Sequence, residues 1–193
     1  MTPKANRKSA GKIRIIGGQW RSRQIRFTST NGLRPTPDRV RETLFNWLSP
    51  AMNGIKCLDL FAGSGSLGFE AASRGASAVT MIDCSSSVIR DLHENAAQLG
   101  CSAVILKKRA MNYLQTTEDT FQLIFIDPPY QLNLSNPILK ELEENKSLEN
   151  NGYVYLEIHH HDQNSRPGEN WNIIREISCG TVHGFLLMRS RDS

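Results

Sequence analysis

The stretch Cys57-Leu58-Asp59-Leu60-Phe61-Ala62-Gly63-Ser64-Gly65-Ser66-Leu67-Gly68 begins as an apolar run, turns into glycines and ends in a helical pattern. It contains G-x-G-x-x-G at Gly63, Gly65 and Gly68, between a predicted strand and a predicted helix, the context in which that motif carries meaning. Glycines there let the backbone approach a ligand closely, and the following helix offers free N–H groups. The motif alone does not separate nicotinamide binding from S-adenosylmethionine binding. Asp59 favours the second: it lies four residues before the first glycine, where a carboxylate meets an ammonium group and repels a pyrophosphate. Asp83 ends the next predicted strand, twenty residues past Gly63, the place from which a carboxylate accepts both hydroxyls of a ribose.

Outward from this loop the chain alternates. The pattern predicts a strand over 55–61, a helix over 67–73, a strand over 78–83, a helix over 86–99 and a strand over 103–107. A short helix over 111–115, a strand over 121–127, a helix over 137–145 and a strand over 153–158 follow. Near-continuous apolar strands separated by helices signal a parallel sheet covered on both faces. The tail breaks the rhythm: runs over 171–179 and 184–189 flank Gly180 with no room for a helix, which predicts an antiparallel pair. Upstream, Leu33-Arg34-Pro35-Thr36-Pro37-Asp38 reads as a turn. Asp38 is expected to cap a helix whose apolar face is Val40, Leu44, Phe45, Trp47 and Leu48, and which ends before Pro50 and Gly54.

The predicted strand over 121–127 leads into Asp127-Pro128-Pro129-Tyr130, a rigid turn at the carboxyl edge of the sheet. An exocyclic amine on a base is a poor nucleophile, because its lone pair is delocalised into the ring. The Asp127 carboxylate and the Pro128 carbonyl would accept its two N–H bonds, orient the nitrogen and stabilise the positive charge that grows on it. Tyr130 would stack on the flat base.

The chain has 193 residues, 39% of them hydrophobic, and a net charge of +4. At this size a folded chain hides roughly 70% of the surface of its unfolded form, so the core needs no covalent staples. No apolar run approaches membrane-spanning length and the basic start lacks a secretory pattern, so a cytoplasmic protein is expected. Cys57, Cys84, Cys101 and Cys179 are scattered without a C-x-x-C pair, which suggests reduced thiols. The charge is uneven: residues 1–41 carry eleven basic side chains and one acid, whereas the other 152 residues carry twelve and eighteen. The N-terminal segment therefore suits a polyanion, with nucleic acid the leading candidate. Residues 1–11 read as a solvated tail. In residues 12–27, Ile13, Ile15, Trp20, Ile25 and Phe27 interleave with charges, which predicts a hairpin around Gly17-Gly18 with arginines projecting from it. Glu157-Ile158-His159-His160-His161-Asp162 ends a strand, where consecutive histidines point to different sides, so no metal site is expected.

Taken together, Asp59 to Gly68, Asp83 and Asp127 to Tyr130 resemble the class I S-adenosylmethionine-dependent amino-methyltransferases. Arg14-Ile15-Ile16-Gly17-Gly18-Gln19-Trp20-Arg21 and Leu33-Arg34-Pro35-Thr36-Pro37-Asp38-Arg39-Val40-Arg41-Glu42-Thr43-Leu44-Phe45 closely resemble the RsmD family, the bacterial 16S rRNA guanine-N2 methyltransferases. The resemblance runs from about Lys12 to the C-terminal strands. It implies a doubly wound, Rossmann-like, mostly parallel seven-stranded sheet, with a basic N-terminal extension over 1–33 and a methyltransferase domain over 34–193. It further implies that a methyl group passes from S-adenosylmethionine to the N2 amine of one loop guanine, on an assembled or partly assembled 30S subunit, with no stable protein partner and no membrane.

By this resemblance the cofactor residues are Thr36, Arg39, Asp59, Ala62, Gly63, Gly65, Asp83, Arg109, Ala110 and Asp127, with Thr36, Asp38 and Arg39 closing over the methionine end. The catalytic residues are Asp127, Pro128, Pro129 and Tyr130, and the RNA-binding residues are Arg14, Arg21, Arg23 and Arg34. Arg109 stands where an acid or amide usually meets the adenine, which leaves the Ala110 backbone as the alternative contact. Tyr130 replaces the usual Phe and keeps the stacking role. Another amino-methyltransferase, acting on DNA adenine or protein glutamine, and a non-catalytic RNA-binding factor are the competing readings.

Overall fold

The computed structural model describes residues 10–28, 35–160 and 166–190. Two short strands, β1 (Ala10–Arg14) and β2 (Gln24–Thr28), pair antiparallel and precede helix α1 (Asp38–Leu48). Then come β3 (Lys56–Asp59), α2 (Ser66–Ser73), β4 (Ala78–Asp83), α3 (Ser86–Leu99), β5 (Val104–Lys107) and α4 (Ala110–Leu114). The chain continues through β6 (Phe121–Ile126), a 3-10 turn over Tyr130–Leu132, α5 (Ser135–Glu144), β7 (Leu148–His159), β8 (Trp171–Cys179) and β9 (Val182–Arg189). Strands β3 to β9 form one sheet in the order β5-β4-β3-β6-β7-β9-β8. The first five in that order run parallel, and β9 is antiparallel to both β7 and β8. This is the doubly wound sheet with a C-terminal antiparallel pair that the alternation predicts.

Period-two alternation divides the strand residues between two cores. Cys57, Met81, Leu123, Phe125 and Tyr155 pack with the hairpin and α1 to α3 on one face. Leu58, Ile82, Ile124, Ile126, Val154 and Leu156 pack with α4 and α5 on the other. Burial of each such side chain stabilises the fold by about 1.5–3 kcal/mol, enough to fix which residues face which layer. Asp59 and Glu157 fall in the same odd-numbered series as Phe125 and Tyr155, and so emerge on the face covered by α1 and α2.

Four details differ from the sequence reading. Strand β7 starts at Leu148 because the register jumps between Phe121↔Leu148 and Leu123↔Tyr153; the polar Glu149, Asn150 and Asn151 lie in that irregular stretch and hide the strand from pattern analysis. Asp38 is the first residue of α1 and makes no capping bond; its carboxylate accepts instead from Arg41 Nη2 at 2.7 Å. The hairpin does not turn tightly at Gly17-Gly18. Residues 15–23 form a nine-residue connection that lies on α2, because the Ile16 and Gly17 amides donate to the Glu70 carboxylate at 2.8 Å each. Arg41, counted among the basic side chains available to a polyanion, is only 1% exposed, because Glu70, Asp38 and the Arg14 carbonyl all draw its guanidinium inward.

The hairpin is thereby fastened at two places. At the loop, Glu70 takes two amides and two guanidinium groups, while Ser73 Oγ accepts from the Trp20 amide at 3.0 Å and donates to the Gly17 carbonyl at 2.6 Å. Along β2, Asn95 of α3 accepts from the Arg26 amide at 3.0 Å and donates to the Arg26 carbonyl at 2.7 Å. Asp91 accepts from the Thr28 amide at 2.7 Å. Two helix side chains thus satisfy an edge strand that would otherwise present open backbone groups. Ile13, Ile15, Ile25 and Phe27 join the core on that face.

Candidate active site

The chain moves outward from β3 through β4 to β5, then crosses to the other side of β3 to lay down β6. That reversal is the switch point at which doubly wound sheets open a crevice beyond the strands' carboxyl ends. A cavity of about 550 Å³ lies there. Its walls are largely apolar, with Pro35, Phe61, Met111, Leu134 and Ile138 among them, and three carboxylates line it: Asp59, Asp83 and Asp127.

The glycine loop closes one side. Gly65 caps α2 with φ +79°, a left-handed conformation, and a Cβ there would fall 2.5 Å from the Phe69 ring. Only glycine satisfies both conditions. The loop is tied down by Ala62 N–H to the Ile82 carbonyl at 2.9 Å and Gly65 N–H to the Ala62 carbonyl at 2.6 Å. Asp83 accepts from the Gly63 amide at 3.1 Å and the Ser85 amide at 2.8 Å, which holds its carboxylate at the cavity edge. Asp59 accepts from the Gly68 amide in the first turn of α2 at 3.1 Å.

Burial raises the pKa of all three carboxyls. Asp59 is pushed up to about 7, chiefly by desolvation, against the opposing pull of the Gly68 and Phe61 amides. Asp83 is raised by the same cause, opposed by the amides of Ser85, Gly63 and Cys84. Asp127 is held well above the usual carboxylate range, first by burial, then by the neighbouring Glu157 and Asp59 charges. Glu157 is itself 1% exposed and raised by burial; it accepts from the Tyr155 hydroxyl at 2.9 Å. Thr36 is 3% exposed, and its hydroxyl is close enough to favour the ionised form of both Asp127 and Glu157. It sits short of hydrogen-bonding geometry with either. No basic side chain is among the groups that shift Asp59, Asp127 or Glu157. Lys108 and Arg109 line the same cavity but are not among those groups, so buried carboxylates in these largely apolar walls suit a ligand that brings a positive charge.

Most residues singled out in the sequence converge on this cavity. Asp59, Ala62, Gly63 and Asp83 line it from β3, β4 and the glycine loop; Arg109 and Ala110 line it at the start of α4. Asp127, Pro128, Pro129 and Tyr130 line it after β6, and the Tyr130 ring is met edge-on by His159, centroids 5.3 Å apart. Three do not line it. Thr36 borders a smaller depression with Lys12, Arg14 and Asp38, Gly65 lies behind the loop as the cap of α2, and Arg39 is exposed on α1. Arg14 and Arg21 are exposed on the hairpin; Arg23 is exposed too, with its guanidinium on the Gln98 carbonyl near the end of α3 at 2.5 Å. Arg34, His161 and Asp162 lie outside the described residues. Among the described residues no group of three or more His, Cys, Asp or Glu could hold a metal ion, and no helix is long and apolar enough to cross a membrane.

Sequence reasoning weighed Glu157 only as part of a histidine run for a metal and gave Tyr155 no role. A signal existed: an acid inside the apolar run Val154-Tyr155-Leu156-Glu157-Ile158 is costly to bury unless it has a role. Only the pairing of Phe125 with Tyr155 and Ile126 with Leu156 reveals that Glu157 stands one step beyond, level with Asp127.

Comparison with known proteins shows the family. The chain is 41% identical over 187 residues to ribosomal RNA small subunit methyltransferase D of Escherichia coli K12, covering 96% of this chain and 94% of that one. It is 41% identical over 177 residues to the protein of the same name from Haemophilus influenzae, covering 89% and 91%. The solved yhhF structure of Escherichia coli superposes with a TM-score of 0.83 at 40% identity, covering 94% of this chain and all of that one. The family described as Conserved hypothetical protein 95 matches residues 13–187, so this chain belongs to that family, the RsmD family.

Proposed function

We propose that this protein transfers a methyl group from S-adenosylmethionine to the exocyclic N2 amine of one guanine in 16S rRNA, acting on an assembled or partly assembled 30S subunit in the cytoplasm. The observation that carries the reading is the pair of buried carboxyls, Asp59 and Asp127, on a largely apolar cavity whose basic lining residues, Lys108 and Arg109, are not among the groups that shift either acid. A cationic nucleoside fits that donor set, and the names of the relatives support an rRNA substrate.

S-adenosylmethionine supplies an electrophilic sulfonium methyl. Asp59 binds the ammonium group, Asp83 takes the ribose hydroxyls, and the loop of Ala62, Gly63 and Gly65 lets the backbone approach. Arg109 and the Ala110 backbone border the adenine, while Thr36 and Arg39 close the methionine end. Tyr130 stacks on the target base. The Asp127 carboxylate and the Pro128 carbonyl accept the amine's two N–H bonds, which points its lone pair and stabilises the charge that develops. Pro129 keeps the turn rigid. Arg14, Arg21, Arg23 and Arg34 of the N-terminal unit (1–33) meet phosphates and deliver the base to the catalytic unit (34–193).

Labelled S-adenosylmethionine incubated with 30S subunits from a strain lacking the modification is expected to mark one guanine at N2. Asp127→Ala is expected to lose at least about 100-fold in turnover, as when a transition-state acceptor is removed, while still binding S-adenosylhomocysteine. No incorporation into any ribosomal particle would overturn the reading, and incorporation into DNA adenine or protein glutamine would redirect it. A variant that kept its phenotype without turnover would point to an RNA-binding factor.

A further inference from the structure

The carboxyl ends of β6 and β7 place a second acid beside the first. Phe125 pairs with Tyr155 and Ile126 with Leu156, so Asp127 and Glu157 follow at the same level on neighbouring parallel strands about 4.8 Å apart, in the same face series. On its other side Glu157 pairs with Gly184 of β9. A Cβ at Gly184 would fall 2.6 Å from the Tyr155 hydroxyl, so the missing side chain makes room for the phenol that donates to Glu157 Oε2. Glu157, Tyr155 and Gly184 thus form a built seat for a carboxylate that does not line the cavity and that the proposed chemistry leaves without a task.

We propose that Glu157 is a positioning residue that turns Asp127 into a proton acceptor for the methylated amine. The inference rests on the proposed methyl transfer. In that step the amine lone pair forms the N–C bond, the S–C bond breaks with its electron pair left on sulfur, and the nitrogen becomes cationic. One N–H bond then breaks, its electrons stay on nitrogen and its proton passes to Asp127 Oδ, from which it reaches solvent when the cavity empties. An isolated carboxylate is a weak base; a second negative charge one strand away strengthens its hold on a proton.

The groups that face the pair are Asp59 from β3, Thr36 from the turn before α1, Tyr155 from β7 and Tyr130 from the turn after β6; β9 contributes Gly184, which carries no charge. Burial raises both acids; beyond it, hydroxyls from Tyr155, Thr36 and Tyr130 favour ionised Glu157, whereas at Asp127 the Glu157 and Asp59 charges favour the protonated form against Thr36 alone. The pair titrates as one unit, with the anion better supported at Glu157 and the proton better held at Asp127.

Glu157→Gln keeps an acceptor for the Tyr155 hydroxyl and removes the charge. Carboxyl carbon resonances followed by NMR in the ligand-free protein are expected to show Asp127 titrating roughly two pH units lower in this variant, about what two charges 5 Å apart give at an effective dielectric near 20. In the methylation assay the acid limb of the pH–rate profile is expected to move the same way, with the plateau rate down at least about tenfold and the KM for S-adenosylmethionine unchanged. Tyr155→Phe, which weakens the Glu157 anion, is expected to shift Asp127 in the same direction by less. An Asp127 midpoint unmoved in Glu157→Gln, or a lower rate on an unmoved limb, would overturn the inference. The NMR titration decides the charge coupling even if no substrate is methylated, so a failure of the proposed reaction is told apart from a failure of the pair.

Discussion

Two buried charge clusters lie on the same face of the sheet and differ in one respect. At the hairpin, Glu70 is 0% exposed and every charge has an opposite: Arg41 at 3.5 Å, Arg74 at 2.7 Å, and two backbone amides at 2.8 Å. At the cavity, Asp59, Asp127 and Glu157 are raised first by burial, Asp127 further by the Glu157 and Asp59 charges and Asp59 by Asp83, and the groups that oppose the rise are amides and hydroxyls, with no cation among them. Charges balanced within the fold mark a structural joint, because a buried ion is tolerated only when opposite charge is supplied beside it. Incomplete pairing marks a binding site, whose missing charge arrives with the ligand. The same residue types thus serve as a fastening in one region and, in the proposed function, as a receptor in the other.

The comparison breaks most directly at Glu70. Replacement by Ala leaves Arg41 buried without its charge partner and orphans the Ile16 and Gly17 amides; urea unfolding is expected to lose about 3–5 kcal/mol. Arg41→Gln is expected to lose less, since Glu70 retains Arg74 and both amides. If Glu70→Ala unfolds at the wild-type midpoint, the network is not a fastening. A smaller effect is expected at the exposed end of the hairpin. Charge removal at Arg21 and Arg23 together is expected to cost less stability than Glu70→Ala, since only the exposed Arg23 bond to the Gln98 carbonyl is lost, and to flatten the slope of log K against log salt for RNA binding by about 1.5. An unchanged slope would take these side chains off the phosphate path.

The alternating apolar runs disclosed the sheet and its C-terminal antiparallel pair, because burial on both faces imposes a pattern that single residues carry. The bounds of β4, α3 and β8 coincide with expectation. The glycine loop and the Asp-Pro-Pro-Tyr turn were legible for the same reason: local backbone geometry restricts them to few residue types. The Glu70 joint was not, since its partners lie 53 and 54 residues away along the chain, and Arg41 read as one more surface cation. Glu157 was hidden likewise, for its meaning depends on the register of β7 against β6 and on the bare Gly184 beside it. Side chains that act through a tertiary partner leave little mark in local sequence, and both acids are of that kind.

If the cavity's carboxyls await a cation, ligand binding is coupled to the ionisation of Asp59. Calorimetric titration with S-adenosylhomocysteine, in buffers of different ionisation enthalpy at pH 6 and pH 8, tests it most directly. Free Asp59 holds a proton up to about pH 7, and an ammonium group beside it favours the ionised carboxylate. Binding at pH 6 is therefore predicted to release a proton that binding at pH 8 does not, with affinity rising through about pH 7 and both effects lost in Asp59→Asn. Affinity independent of pH and without proton release in the wild-type protein would contradict it.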